Sequence, residues 1–556
     1  MFIFFKNCIK YYNTIKHLRL IQIIGQVKHR LISTKNYKFN LSKDYELSQI
    51  VNSMISPAKR NQSMVDTNTF IFLNETHYIL NMEDWNNTNL SKLWLYNLHY
   101  FDDLNALDSN LRLERQKDLI TSWIDNNLPG NGIGWESYPT SLRIVNWIKW
   151  HLNLHPLEKH AFQSLLVQVR FLYNNLETHL LGNHLISNAK ALIFAGLFFN
   201  QSESQKWYDK GLKIFTREMS EQILEDGGSF ELSTMYHVIL LEDLLDILNI
   251  HYTYEGKVPA NLTEKINLMY SWLNSMCHPD NEISFFNDSA LNIAPSFKEI
   301  RDYIFRLNEK KLLDIDFEKQ LNQSFVDLNS SGYSRIESDS MVLLIDRASV
   351  GPDYLPGHAH ADTFSFELSL FNKRVIVNSG TSTYEKNIER QRQRATSSHS
   401  TLAIDRENSS EIWGGFRVAR RAKVSNKVND IQKEQIVLSA SHNGYHRLFG
   451  RPTHSRSWNF SGTLLEIIDT INGKGIHDID LCFPLHPEVK IINSSKQKVL
   501  IESADKEIEI NFEGNGNLVV ESSTYHPEFG LSIENKQLHY KLSTKIPISI
   551  VTRIHW

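Results

Sequence analysis

The spacing of apolar residues changes once along this chain, near residue 330, and that change constrains the fold more than any other feature. From about residue 93 to residue 328, apolar side chains recur every three or four positions, which predicts a series of helices. From Gly332 onward they alternate with polar ones, as in residues 363–371, which predicts strands with one buried face. We therefore expect an α+β chain of several domains, with helices first and an antiparallel β-sandwich second.

A chain of 556 residues is too long for one ordinary core, so two or three domains are expected. Residues 1–90 are predicted to form an N-terminal helix, with basic amphipathic spacing over 17–31, followed by an irregular lead-in. Residues 91–330 are the predicted helical domain, and residues 331–556 are the predicted β domain. Periodicity alone does not choose among a bundle, a solenoid and a toroid for the helices.

Composition excludes some partners. The net charge of −4 provides no general basic field, which argues against nucleic acid, and no stretch is long and apolar enough to span a bilayer. The first residues lack the basic-then-apolar order of a secretory signal, which leaves a cytoplasmic or membrane-peripheral location open. Cys8, Cys277 and Cys482 are widely spaced and predict neither a disulfide framework nor a zinc knuckle.

One motif combines titratable side chains with the start of a predicted strand. His358, His360 and Asp362 alternate along the chain directly before the residues 363–371. On a strand, these three side chains would project to the same side. Three titratable or metal-capable groups on one face indicate a site, although surface histidines at a strand edge are the simpler alternative.

The helical half contains stretches in which polar groups are mixed with aromatic ones, each at the predicted start of a helix. These stretches are residues 96–102, 134–139, 182–188 and 229–237. Helix ends in such arrays commonly line one rim, so we expect a shared cleft, whereas any single stretch is explained by capping or packing. Tyr96, His99, Trp135 and Glu231 are the candidate sugar contacts within them. Arg394, from a basic cluster, is a further candidate because arginine binds carboxylates and sulfates, with a solvated charged face as the alternative.

Taken together, these motifs resemble the heparinase II/III-like polysaccharide lyases, whose relatives include oligoalginate lyases. The resemblance rests on Asn183-His184, Tyr236-His237, the Gly-His-x-His-x-Asp stretch at 357–362 and the Ser-His-Ser-Thr-Leu stretch at 398–402. It covers about residues 90 to 420 and implies an incomplete (α/α) toroid, then a β-sandwich, with a cleft for an acidic glycan between them. It also implies a carbon–oxygen lyase that cleaves a uronic-acid polysaccharide by β-elimination, in the periplasm or outside the cell.

The resemblance also implies roles for four residues in this reaction. Asn183, with His184 beside it, would stabilise the negative charge that develops on the substrate carboxylate. Tyr236 would be the acid that protonates the leaving oxygen, and His358 would supply the second proton-transfer group.

A structural zinc is a further implication. The resemblance places its ligands at His360, at an aspartate position and at His399, but this chain has Asn378 where the aspartate is expected. A neutral amide is a poor zinc ligand, so a bound metal and a hydrogen-bonded cluster both stay open. Catalysis needs no cofactor in either case.

Two other functions fit the same sequence. A glycoside hydrolase would use paired carboxylates, for which Glu136, Asp226 and Glu231 are available. A non-catalytic glycan-binding or assembly protein would keep the cleft without turnover. The residues do not indicate which uronic-acid glycan is bound, whether cleavage is endo or exo, or the oligomeric state.

Overall fold

The computed structural model describes residues 2–31, 45–153, 155–317, 324–433 and 435–556. The α-helices of these residues are α1 (Phe2–Ile15), α2 (Leu20–Leu31), α3 (Lys92–Tyr100), α4 (Leu113–Asn126), α5 (Ser137–Leu152), α6 (Lys159–Asn174), α7 (Gly182–Phe198), α8 (Ser204–Gln222), α9 (Thr234–Thr253), α10 (Leu262–Ser275), α11 (Phe297–Glu309) and α12 (Ile388–Gln393). All but α12 precede the β domain, as the apolar spacing predicted.

The strands of the described residues begin with a small N-terminal group and continue through the C-terminal half. They are β1 (Met64–Asp66), β2 (Thr69–Phe72), β3 (Glu75–Tyr78), β4 (Phe325–Leu328), β5 (Tyr333–Ser338), β6 (Met341–Asp346), β7 (Phe366–Leu370), β8 (Lys373–Ile376), β9 (Leu402–Ile404), β10 (Ile412–Trp413), β11 (Arg417–Val418), β12 (Val424–Ile431), β13 (Ile436–His442), β14 (Thr453–Ser461), β15 (Leu464–Asn472), β16 (Ile476–Pro484), β17 (Lys490–Ser494), β18 (Lys498–Ser503), β19 (Lys506–Glu513), β20 (Asn517–Tyr525), β21 (Ile533–Lys545) and β22 (Ile548–His555). The lead-in predicted as irregular therefore contains the three-stranded sheet β1–β3.

The helical domain is built around its two most apolar helices. Helices α7 and α9 are buried over most of their length, and α7 packs against α5, α8 and α9. A helix that is apolar nearly all round must lie inside a domain, which explains why these two form the centre. Their first turns carry Asn183 and Tyr236, so the packing of the core fixes where these two side chains lie.

The β domain is formed by antiparallel sheets that share one apolar core. The three larger sheets have the strand orders β4-β5-β6-β7-β8, β12-β13-β14-β15-β22-β19-β18-β17 and β20-β21-β16-β9. Apolar side chains alternate along these strands toward the common core, as in β13 and β19. The predicted class, helices followed by an antiparallel sandwich, is confirmed. No helix among the described residues is long and apolar enough to cross a membrane.

The His-x-His-x-Asp motif does not lie on a strand, and this corrects one expectation. Strand β7 begins at Phe366, while Phe364 has a left-handed φ of 70° and the Ser365 N–H donates to the Asp362 carbonyl at 2.7 Å. This tight turn separates the motif from the strand, so the alternation of side chains along β7 does not set the directions of His358, His360 and Asp362. The motif is instead the loop that enters β7.

Candidate active site

A tyrosine of the helical domain and a histidine of the β domain meet between the two domains. Tyr236 lies in the first turn of α9, where the Ser233 hydroxyl caps the helix by accepting the Tyr236 N–H at 3.2 Å. His358 comes from the loop that enters β7. The two ring centroids are 3.9 Å apart, with an angle of 32° between the planes. A phenol of one domain and an imidazole of the other are therefore in direct contact.

Asp288 fixes the state of His358. The His358 Nδ1–H donates to Asp288 Oδ2 at 3.0 Å, which leaves Nε2 unprotonated in the neutral ring. Arg390 donates to both oxygens of this carboxylate, with Nη2 2.6 Å from Oδ2. Burial alone would raise the pKa of Asp288, but Arg390 and the bonded histidines outweigh it and hold that pKa well below its usual range. The charged carboxylate thus keeps His358 in the tautomer that accepts a proton at Nε2.

The phenol of Tyr236 keeps its proton at neutral pH. Its hydroxyl lies 3.1 Å from the hydroxyl of Tyr384. Burial, with the neighbouring Tyr384, raises the pKa of Tyr236 well above its usual value. Arg390 lies over the Tyr384 ring, 4.9 Å from its centroid, and so links this pair of phenols to Asp288. A protonated phenol beside an imidazole whose Nδ1 is bonded to Asp288 has the composition of an acid–base pair.

A strained turn positions Asn183. Leu181 and Gly182, directly before it, have φ values of 63° and 58°, in the left-handed region. A Cβ at position 182 would lie 2.4 Å from the Leu355 side chain and 2.9 Å from Glu231 Oε1, so only glycine fits there. Strained backbone of this kind is commonly retained where it positions a functional group.

Glu231 connects this turn to the Tyr236–His358 pair. Its carboxylate accepts the backbone N–H of Asn183, and the charges of His358 and His184 both act to lower its pKa. Burial has the larger effect, so the pKa of Glu231 is raised. Its Oε1 is buried and has no hydrogen-bond partner among the described residues. The structure thus brings Asn183, His184, Tyr236 and His358 into one cleft.

His184 extends the cleft along a row of aromatic rings. Its Nδ1 lies 3.1 Å from Glu177 Oε1, and its ring centroid lies 4.4 Å from that of Tyr138. Burial would lower the pKa of His184, but Glu177 outweighs it and the pKa is raised. The row continues from Tyr138 to Tyr100 at 5.8 Å and from Tyr100 to the half-buried Tyr96 at 6.2 Å. The cleft therefore has one aromatic wall, and the Glu177 carboxylate favours the charged form of the imidazole within it.

Two predicted sugar contacts lie in the core instead. His99 is fully buried, its Nδ1 accepts the Trp123 indole N–H at 3.0 Å, and its Nε2–H donates to the Trp85 carbonyl at 2.9 Å. Trp135 is 3% exposed, and its indole N–H donates to the Asn127 carbonyl at 3.1 Å. Both side chains are satisfied by packing and hydrogen bonds inside the helical domain. A local aromatic-polar sequence does not distinguish such packing from a sugar platform.

Arg394 also has a different place from the one predicted. It is fully buried and donates to the Ala359 carbonyl from Nε at 3.1 Å and from Nη2 at 2.8 Å. Its Nη1 donates to the carbonyls of Gly414 and Gly415. The guanidinium therefore holds the backbone of the loop that carries His358, and it does not present itself to a ligand.

The residues implied as zinc ligands lie together but do not converge. His360 Nδ1 is 3.3 Å from His399 Nε2, whereas Asn378 Oδ1 is 2.9 Å from His399 Nδ1. Asn378 and His360 thus contact opposite nitrogens of the His399 ring. No single point lies within bonding distance of one metal-ligating atom from each of the three residues. Zinc needs ligand atoms around one centre. The arrangement does not fit the implied zinc, and no catalytic step is assigned to that metal.

These residues form a hydrogen-bonded chain that ends on Asp288. Burial lowers the pKa of His360 to about 4 and that of His399 well below its usual value, so both rings are neutral. His360 Nε2–H donates to Asp288 Oδ1 at 2.9 Å and therefore accepts at Nδ1 from His399 Nε2–H. His399 Nδ1 then needs a donor, which Asn378 supplies when its amide is turned to present Nδ2–H. In the unturned amide, Nδ2 is buried without a partner among the described residues.

Sequence reasoning missed Asp288 and Tyr384. Asp288 lies in an irregular segment between α10 and α11, where no period marks it, and it is recognisable only through its partners in space. The backbone shows how it is placed, since the Asp288 N–H donates to the His358 carbonyl and the His360 N–H donates to Asn287 Oδ1. Arg390 belongs to the same basic cluster in the sequence as Arg394, but the sequence does not indicate that Asp288 is its partner.

Comparison with known families agrees with the order of the two domains. The profile described as Heparinase II/III N-terminus matches residues 126–311, and the profile described as Heparinase II/III-like, C-terminal matches residues 321–554. Together they cover most of both domains, including Asn183, Tyr236 and His358. The chain belongs to the heparinase II/III-like family.

Individual relatives are more distant. A protein named heparin-sulfate lyase from Bacteroides stercoris is 28% identical over 243 residues, which is 41% of this chain and 36% of that protein. One of the same name from Bacteroides thetaiotaomicron is 23% identical over 53% of this chain and 48% of its own length. The chain thus matches about a third to a half of these relatives. A crystal structure titled heparinase III has 18% identity and a TM-score of 0.71, and covers 96% of this chain and 89% of that chain.

Proposed function

We propose that this protein is a polysaccharide lyase that cleaves a uronic-acid-containing acidic glycan by β-elimination. The observation that carries the proposal is the contact at 3.9 Å between Tyr236 and His358, with His358 held in one tautomer by Asp288. The names of the relatives support the same chemistry and make heparin and heparan sulfate the first substrates to test.

The pair suits the two proton transfers of an elimination. His358 Nε2 takes the proton from C5 of the uronate, since its Nδ1 is already committed to Asp288. Tyr236, whose pKa is raised by burial, gives its proton to the departing oxygen on C4. After the product leaves, His358 gives its proton to solvent and Tyr236 takes one from solvent, a transfer that the Tyr384 hydroxyl, 3.1 Å away, can relay. Each transfer of this kind contributes on the order of 10²- to 10⁴-fold to a rate.

The C5 proton is only weakly acidic because the adjacent carboxylate is already negative. Asn183 offers an amide N–H on the rigid first turn of α7, and its side chain has no hydrogen-bond partner among the described residues. His184 lies next to it in the chain, and Glu177 raises the pKa of this histidine and so favours its positively charged form. Preorganised donors and charge of this kind stabilise the developing dianion in a site shielded from water.

The candidate hydrolase acids are less suited to paired catalysis. Asp226 accepts the Ser331 N–H at 2.6 Å and the Ser331 hydroxyl at 2.9 Å, which commits it to the turn before β5. Glu136 accepts the Tyr96 hydroxyl and pairs with Lys92 at 2.9 Å. Glu231 lies beside His358 and His184, but neither of the other two acids is free to act as its catalytic partner.

The test is incubation of the purified chain with heparin, heparan sulfate, alginate and a uronate-containing capsular polysaccharide. Elimination leaves an unsaturated uronate that absorbs in the near ultraviolet, whereas hydrolysis does not. We expect absorbance to rise with at least one glycan, and Tyr236→Phe and His358→Ala each to lower the rate by roughly 10²- to 10⁴-fold.

Matched controls are Tyr78→Phe and His555→Ala, because both side chains are exposed and lie outside the cleft. These variants should keep the full rate. Reducing-end release without ultraviolet absorbance would identify a hydrolase, and glycan binding without any product would identify a binding protein. Full activity of Tyr236→Phe would remove the phenol from proton transfer.

A further inference from the structure

A second group of potential ligands lies in the sandwich, on the outer face of the sheet β20-β21-β16-β9. Cys482 on β16 is directly opposite His539 on β21, and Asp480 precedes Cys482 by two positions. Because side chains alternate along a strand, Asp480 and Cys482 share one face, while Leu481 between them enters the core. Cross-strand neighbours on one face are close enough to bind one ion.

The three donor atoms converge. The Cys482 sulfur lies 3.4 Å from His539 Nδ1 and 3.6 Å from Asp480 Oδ1, and His539 Nδ1 lies 2.9 Å from that oxygen. Tetrahedral zinc sites have Zn–S bonds of about 2.3 Å and Zn–N or Zn–O bonds of about 2.0–2.1 Å. These bond lengths place a ligating sulfur about 3.5 Å from a ligating nitrogen or oxygen, and a nitrogen about 3.3 Å from an oxygen. The distances from the Cys482 sulfur to His539 and to Asp480 already match these values. The distance between His539 Nδ1 and Asp480 Oδ1 must lengthen by a few tenths of an ångström.

The surroundings are also those of a metal site. Cys482 is fully buried and His539 is 7% exposed, whereas the Asp480 side chain is 29% exposed, which leaves one side for a water ligand. The other ring nitrogen, His539 Nε2, faces Glu521 Oε2 at 3.7 Å, and Lys541 donates to the second oxygen of Glu521. A carboxylate behind a ligating histidine orients the ring and makes it a better ligand.

We propose that Asp480, Cys482 and His539 bind one zinc ion, with water in the fourth position. Binding converts the Cys482 thiol to a thiolate and releases its proton to solvent, while Nδ1 of His539 coordinates as a neutral imidazole. This site is separate from the His360–His399 chain, whose donors do not converge. Within the described parts of the chain, it is the one group of at least three His, Cys, Asp or Glu side chains with donor atoms all within 4.8 Å.

Hydrogen bonds alone explain the cluster less well. Both the sulfur and the carboxylate approach the same nitrogen of His539, which carries at most one proton. A buried thiol is only a weak hydrogen-bond donor and acceptor. A divalent cation satisfies all three groups at once.

The experiment is a titration of the metal-stripped full-length chain with Co²⁺, which occupies zinc sites and gives a thiolate-to-cobalt charge-transfer band in the near ultraviolet. We expect one equivalent to produce the band, Zn²⁺ to abolish it by competition, and Cys482→Ser to lack it. Because the His360–His399 chain contains no thiol, cobalt bound there does not produce this band. Glu521→Gln should keep the band but weaken cobalt binding roughly 10- to 100-fold.

Cys8→Ser is the matched control, since Cys8 is exposed and remote in sequence, and it should keep the band. Circular dichroism checks that each variant is folded. If Cys482→Ser does not fold, His539→Gln takes its place and should weaken cobalt binding at least as much as Glu521→Gln. A folded wild-type chain without the band, or a band that persists in Cys482→Ser, would overturn the proposal.

Discussion

Two buried hydrogen-bonded chains have the same order of two histidines and an aspartate, with an arginine on the aspartate, but only one of them serves the cleft. We call them the cleft chain (Asn378, His399, His360 and Asp288, with Arg390) and the sandwich chain (Gly444, His442, His454 and Asp469, with Arg456). In the sandwich chain, the Gly444 N–H donates to His442 Nδ1 at 3.1 Å, and His442 Nε2–H donates to His454 Nδ1 at 3.0 Å. His454 Nε2–H then donates to Asp469 at 2.6 Å. The same ring nitrogens are used in the same order in the cleft chain.

The shared pattern explains the amide at position 378. Each chain ends on a carboxylate that accepts, so each must begin with a group that donates. A backbone N–H from Gly444 begins the sandwich chain, and Asn378 begins the cleft chain, where an aspartate would have no proton to give. An arginine neutralises each carboxylate, Arg456 donating to Asp469 at 2.7 and 2.9 Å.

The difference lies in one additional histidine. The side chain of His358 is 16% exposed and shares the Asp288 carboxylate, whereas His454 is fully buried and no exposed histidine is bonded to Asp469 among the described residues. A buried chain of Asp, Arg and two His residues therefore has a structural role by itself. It becomes part of a site only where a histidine on it reaches the cleft and meets Tyr236.

The largest expected effect separates the two chains by activity. Asp288→Asn and Asp469→Asn each leave a buried arginine unpaired, so each should lower the free energy of unfolding by about 3–5 kcal/mol. Only Asp288→Asn should also lower turnover per folded molecule, on the order of 10²- to 10⁴-fold, because His358 loses its fixed tautomer. Denaturant unfolding and the near-ultraviolet assay measure the two effects. Equal loss of turnover in both variants would show that the cleft chain has no specific role in catalysis.

Acidification should affect both chains in the same direction. The folded pKa of Asp288 and that of Asp469 are lowered, since their arginines and histidines outweigh burial. Each carboxylate therefore adds stability above the unfolded pKa of about 3.9, and that stability is lost as pH falls through the native pKa. Unfolding free energies measured against pH should fall on acidification in the wild type and fall less in Asp288→Asn and in Asp469→Asn. Parallel curves for all three proteins would contradict this.

Asn378→Asp tests how the cleft chain begins. A carboxylate there accepts the His399 Nδ1 proton, which reverses the chain and turns a lone pair of His360 toward Asp288. We expect a loss of about 1–3 kcal/mol in unfolding free energy at neutral pH, the cost of a buried polar group without its partner. The measurement is repeated with zinc and with a chelator. A variant as stable as the wild type in chelator would show that no amide donor is needed.

The smallest effect is expected from His442→Gln. It weakens one hydrogen bond of the sandwich chain and should cost about 0.5–1.5 kcal/mol without changing kcat/KM of the folded protein. His399→Gln is the matched change in the cleft chain and should cost the same stability while lowering turnover, because His360 then holds Asp288 less firmly. Thermal unfolding and the lyase assay compare the two. Unchanged turnover in His399→Gln would show that His399 does not contribute to catalysis and that only Asp288 and the residues bonded to it do.

Much of the architecture followed from periodicity, and part of the site followed from motifs. The change from helical to alternating spacing predicted the two halves, and Asn183, His184, Tyr236 and His358 do share a cleft. Three predicted contacts failed for one reason. Side chains that pack in a core and side chains that line a cleft use the same aromatic and basic residues, as His99, Trp135 and Arg394 show.

The sequence by itself determined the order of helices and strands, because the period of apolar residues follows from which faces must be buried. It also determined which motifs carry acid, base and amide groups. Only the tertiary structure decided that Asp288 anchors His358, that Asn378 begins a hydrogen-bonded chain, and that Cys482 faces His539. Those contacts join residues far apart in the chain, and they depend on how two domains and several sheets pack, which no local pattern encodes.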